Sequence, residues 1–80
     1  MELLKYQEIA SVTLFDLRLS ESELMVYEGC IRYVLENCKN DILYELTGCE
    51  SKEELTWFQQ ELRALIKKHV LPQYLPDTYK

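Results

Sequence analysis

Eighty residues with a formal charge of −5 make one small acidic domain, whose thin core of roughly 3–5 kcal/mol leaves little room for a deep catalytic pocket. Fourteen acids against nine bases repel nucleic-acid phosphates and steer basic protein surfaces toward the chain. The three cysteines are odd in number and contain no CxxC pair, which excludes a zinc set and a fully paired disulfide framework.

The first 19 residues carry two competing signals. Val12 to Leu19 partly alternates, with Thr13, Phe15, Leu17 and Leu19 on one side and Val12, Leu14, Asp16 and Arg18 on the other. That is a strand pattern, rich in β-branched and aromatic residues. Leu3 to Ile9 reads as a partner strand or a short helix. No Gly, Pro or Asn-Gly turn separates the two segments, which counts against a hairpin. A lone strand has to pair with residues 3–9, with the tail or with a second chain. An all-helical N-terminus is the alternative.

At Ser20 the reading sharpens. Ser20 and Glu23 form a capping-box signature. Leu24, Tyr27, Ile31, Val34, Leu35 and Cys38 then recur at helical steps, predicting a helix over 21–38. Glu28, Arg32 and Glu36 read as its solvated face, with surface pairs between neighbours. Asp41 is the expected cap of a short second helix bearing Ile42, Leu43 and Leu46, and Gly48 is its left-handed stop. Ser51 and Glu54 repeat the capping box, opening a third helix with a stripe of Leu55, Phe58, Leu62, Leu65, Ile66 and His69. Lys67, Lys68 and His69 suit its negative C-terminal end. Pro72 stops it, and the tail is expected to run extended and to dock through Leu71, Tyr74 and Leu75.

The fold class that follows is mainly α: a compact three-helix bundle with a short N-terminal β element as an option and an extended Pro-containing tail. Residues 1–80 form a single helical domain, in which 1–19 are the N-terminal segment, 20–70 the helical core and 71–80 the tail. The opening ten residues are acidic and amphipathic, unlike a signal peptide, and no run reaches the roughly 18 apolar residues of a membrane span. A cytoplasmic protein is expected, with Cys30, Cys38 and Cys49 reduced and buried.

Catalysis finds no support in the residue pattern. His69 stands on the apolar stripe without a nucleophile or acid beside it, and Gly29 and Gly48 make no phosphate loop. No cofactor and no metal are expected. Residues 41–61 resemble a helix-turn-helix in outline, with a turn of about one residue. The second helix opens on Lys52-Glu53-Glu54, carboxylates where base-reading residues belong.

Trp57, Tyr33 and Val26 lie off the stripes. They either pack under the N-terminal segment or the tail, or form an exposed aromatic patch edged by acids. The functional expectation is a non-enzymatic protein-binding module, an inhibitor or immunity-type protein from a bacterium, phage or mobile element. Its surface comprises Glu21, Glu28, Tyr33, Glu36, Glu45, Glu50, Glu53, Glu54, Trp57 and Glu61. The partner would be a basic protein, a nuclease or other nucleic-acid binder, with no membrane and no direct nucleic-acid contact. A helix-turn-helix regulator, with Lys52, Lys67 and Lys68 on one DNA-facing surface, is the alternative. A self-associating scaffold or homodimer, in which the N-terminal strand pairs with its twin, is a third.

Overall fold

The computed structural model describes residues 1–80. Its elements run β1 (Glu2–Ile9), β2 (Val12–Arg18), α1 (Glu21–Asn37), α2 (Asn40–Thr47) and α3 (Lys52–His69), followed by 3-10 turns at Pro72–Tyr74 and Asp77–Tyr79. The expected compact three-helix bundle is therefore corrected to a mixed fold of three helices and a two-stranded antiparallel sheet. The partial alternation of Val12–Leu19 marks a strand, and residues 2–9 pair with it, so that each strand saturates the other's inner edge.

The turn joining the strands is Ala10-Ser11, with φ of 51° and 68°. Both central residues are left-handed, as a two-residue type I′ hairpin turn requires. Neither is Gly or Asn, which is why the turn was invisible in the sequence. Strand pairing holds it instead: Ile9 faces Val12, Tyr6 faces Phe15 and Lys5 faces Asp16, with an irregularity between Leu3 and Lys5. Replacing Ala10-Ser11 with Asn-Gly should stabilise the hairpin by about 1 kcal/mol, because the left-handed strain is relieved. The gain should appear as slower amide exchange in β2 while helical amides stay unchanged.

Ser20 accepts from the Glu23 amide at 3.2 Å and Glu23 accepts from the Ser20 amide at 3.1 Å, so the first capping box is complete. The second is half formed. Ser51 accepts from the Glu54 amide, but the Glu54 carboxylate takes the Glu50 amide instead. The expected Asp41 cap is absent: Lys39 is the N-cap of α2 and supplies no side-chain bond. Gly48, at φ 76°, ends α2 as expected. The Thr47 hydroxyl tightens this end by bonding the Leu43 carbonyl and accepting from the Cys49 amide.

Leu43, Cys49 and Leu55 form the apolar centre, with Ile31, Val34 and Leu35 packed against them. Leu55 at the start of α3 thus meets the C-terminal half of α1, while Glu28 one turn earlier meets Gln59 further along α3. The two long helices run in opposite directions. The expected stripes are rotated. Gln59 is buried in place of Phe58 and Leu65, which are 46% and 49% exposed, and His69 is exposed. All three cysteines are free, as expected, but Cys30 is exposed and Cys38 half-buried, so only Cys49 meets the buried expectation. The tail winds into two short turns and docks through Tyr79; Leu71 and Tyr74 stay exposed, which corrects the expected contact for those two, while Leu75 is half-buried.

Candidate functional site

Two sites emerge, one facing water and one closed to it. The open one lies on α3, where Glu53, Trp57 and Glu61 follow at four-residue steps along one face. The Trp57 ring meets Phe58 edge to face, at 5.0 Å between centroids and 81° between planes. Trp57 is 58% exposed, which settles the two readings in favour of an exposed aromatic. Beside the pair runs a groove of about 460 Å³ lined by Ile31, Cys49, Leu55, Phe58, Leu62 and Glu61 among others. Glu54 stands one turn before Phe58, and Glu50 is tied to it through the backbone bond already described. Phe58 lines the apolar groove and Trp57 packs on its outer side among carboxylates, which is the composition of a binding hot spot.

The structure brings together Glu50, Glu53, Glu54, Trp57 and Glu61 of the expected surface, all exposed. Glu21, Tyr33, Glu36 and Glu45 are exposed as well, but no hydrogen bond, ion pair or ring contact joins them to this face. Tyr33 lies roughly opposite the inward stripe of α1.

Glu28 is a correction. It is fully buried, 0% exposed, and no partner can touch it. Its position explains why: Leu24, Glu28, Ile31 and Leu35 follow at steps of four, three and four, so Glu28 sits in the inward stripe. Leu55, Gln59, Leu62 and Ile66 repeat the same steps on α3, and Gln59 donates to Glu28 Oε2 at 3.0 Å. The other oxygen is crowded. Tyr79 Oη donates to Oε1 at 2.5 Å, and the guanidinium groups of Arg32 and Arg63 approach it at 3.3 and 3.9 Å. Both arginines also lie over the Tyr79 ring, at 5.9 and 5.0 Å from its centroid. Arg32 donates to the Thr78 hydroxyl at 2.5 Å and Arg63 to the Thr78 carbonyl. Every buried side-chain polar atom is satisfied.

This closed site is a latch. A buried carboxylate needs paired charge and hydrogen bonds to persist, and here those partners fasten the tail to the two long helices. It offers no free oxygen to a substrate or a metal, and no cluster of His, Cys, Asp or Glu fit for a metal exists. Gln59 and Tyr79 were missed as site residues. The matching spacing of Glu28 and Gln59 was a usable signal for the first, whereas nothing local marks Tyr79.

Burial, and then the hydrogen bond to Glu28, push the Tyr79 phenol up from 10.0 to about 12. A raised tyrosine adds stability that is complete below pH 10.0 and is lost as pH climbs toward about 12. The tail should therefore come free across that window. Tyrosinate absorbance should show one late-titrating phenol, missing in Tyr79→Phe; no such difference between the two proteins would refute the latch. At the start of α1, the Met1 ammonium and then the Ser20 amide hold the Glu23 carboxyl below its usual range.

The helix-turn-helix outline is altered in one respect. The link between α2 and α3 spans residues 48–51, longer than the one-residue turn expected. Gln60, Arg63, Lys67 and Lys68 line a shallow polar depression on α3, which Lys52 does not join. No helix is long and apolar enough to cross a membrane. No protein family, curated protein or solved structure matches the chain.

Proposed function

We propose that this chain is a non-enzymatic protein-binding module that docks through the Trp57–Phe58 face of α3. In the fuller reading it is an inhibitor or immunity-type protein of a bacterium, phage or mobile element, and it covers a basic surface of a nuclease or other nucleic-acid-binding protein. The observation carrying the reading is the exposed aromatic pair beside an apolar groove and between Glu53, Glu54 and Glu61. The ring of Trp57, 58% exposed, and that of Phe58, 46% exposed, together form a contiguous aromatic patch next to the groove, and such patches mark interaction sites. The surrounding acids add steering toward a cationic partner and exclude anionic ones.

The test compares wild type with Trp57→Ala and Glu61→Lys as immobilised baits in host lysate, at low and high salt. Wild type should retain a basic protein that salt releases and that competing nucleic acid displaces. Trp57→Ala should weaken its retention by about thirtyfold or more, as loss of a hot-spot aromatic does. Equal retention by both variants, or retention indifferent to salt, would overturn the reading.

The four-residue link 48–51 favours a second reading, a helix-turn-helix DNA reader. Against it stand Glu53 and Glu54 at the N-terminus of the would-be recognition helix. A gel shift at low salt separates the two readings, since the protein-binding module should retain no DNA.

A further inference from the structure

We infer that the N-terminal hairpin is a dimerisation arm, whose apolar face packs against the same face of a second copy of this chain. Strand register sorts the hairpin into two unlike faces. Leu3 and Leu17, Tyr6 and Phe15, and Glu8 and Thr13 pair on one face, with Leu4 set beside Leu3 by the bulge. On the other, Glu2 pairs with Arg18 at 3.8 Å and Lys5 stands opposite Asp16, leaving only Ile9, Val12 and Leu14 near the turn apolar. One charged and one apolar face is the signature of a sheet with one side packed. Yet Leu3, Leu4, Tyr6, Phe15 and Leu17 are all 43–67% exposed.

Nothing in the same chain covers that face. The hairpin has no extensive packing on any helix and is tied to the body at its base, where the Met1 ammonium pairs with Glu23. The molecule measures 41 × 35 × 16 Å, so it is thin in one direction, whereas a stable domain stacks at least two layers. An isolated two-stranded hairpin is marginal in water and needs such a second layer.

The area says how large the missing layer is. The chain exposes 6320 Å², against about 5,100 Å² for a compact monomer of 9.6 kDa. The excess of roughly 1,200 Å² belongs to the whole chain, with the hairpin's apolar face supplying part of it, and is of the order of the ~1,000 Å² or more that each subunit of an obligate dimer buries. The radius of gyration of 14.4 Å likewise exceeds the about 12 Å of a compact 80-residue domain.

Charge points to a twin rather than a stranger. The chain carries −5 overall, but the hairpin holds two bases against three acids, and its apolar face holds a single charge, Glu8, near the tip. Copies can therefore meet here with little like-charge repulsion, which the acidic α1–α3 surface would not allow. A two-fold axis makes the patch self-complementary, and two such faces pack about 10 Å apart as a small sandwich.

Sedimentation equilibrium of the full chain tests this, with Phe15→Thr, Leu17→Thr, Leu14→Thr and Trp57→Ser alongside. Threonine keeps strand propensity, so a loss of association is not a loss of the hairpin. Wild type should sediment at twice the 9.6 kDa chain mass. Phe15→Thr and Leu17→Thr should raise the dimer Kd by roughly a hundredfold, because two-fold symmetry counts each change twice. Leu14→Thr on the other face and Trp57→Ser on α3 should leave the dimer intact. A mixed labelled sample should give isotope-filtered contacts between the Phe15 ring of one copy and leucine methyls of the other. A wild-type chain at monomer mass up to millimolar concentration would overturn the inference. So would a dimer that survives both apolar-face substitutions.

Discussion

Replacing Glu28 with alanine is expected to remove most of the protein's stability and bring it close to its unfolding midpoint at room temperature. The change removes the acceptor shared by Tyr79, Arg32, Arg63 and Gln59, stranding two guanidinium groups against a closed interior. Breaking a buried ion pair from one side costs about 3–5 kcal/mol. The arginines keep some contact with water, with side chains 32% and 24% exposed, which places the loss near ~3 kcal/mol. That is still comparable to the roughly 3–5 kcal/mol such a core supplies in total. Glu28→Gln should lose less, because its amide oxygen can still accept from Tyr79, although its NH2 then faces the Gln59 NH2 and that bond goes together with the charge pairing. Melting followed by circular dichroism, at one fixed protein concentration, reads both. An alanine variant that melts with wild type would show that the latch contributes nothing to folding.

Truncating Leu43 to alanine should destabilise the protein by about 3 kcal/mol, within the range for fully buried leucines. Leu43 is 0% exposed and sits at the centre of the cluster with Cys49 and Leu55. It is also the only buried residue of α2, which has eight residues. A helix that short has no stability of its own, so removing its anchor should free the whole segment between α1 and α3. Leu46 on the same helix is 58% exposed, and Leu46→Ala should stay within about 0.5 kcal/mol of wild type. Amide exchange in α2 distinguishes local release from global loss. Equal effects of the two substitutions would contradict the placement of the core.

The candidate sites were legible to very different degrees. Trp57 could be located on the solvent side of its helix from spacing alone, although whether a neighbour covered it depended on where residues 1–19 and the tail go. Glu53, Glu54 and Glu61 were readable as surface acids, because nothing in their helical phase draws them inward. Glu28 was misread as surface because carboxylates usually are, and its phase between Leu24 and Ile31 was overruled by its chemistry. The hairpin was half legible. Alternation marked the second strand and left Leu3–Ile9 open between strand and helix, and a turn built from Ala10 and Ser11 carries no composition signal, since its positive φ values are held by pairing on either side.

Local chemistry is what the sequence by itself determined about this protein: the helix starts at Ser20 and Ser51, the left-handed stop at Gly48, and the strand alternation after Val12. Each depends on hydrogen bonds or side-chain phase within a few residues, and those interactions are written directly in the order of the chain. Only the tertiary structure decided that Glu28 is buried, that Tyr79 fastens the tail and that the hairpin stands clear of the helices. Burying a carboxylate is favourable only when its partners arrive, and here one of them comes from 51 residues away. Such a cost is met by geometry across the whole fold, and no window along the chain contains it.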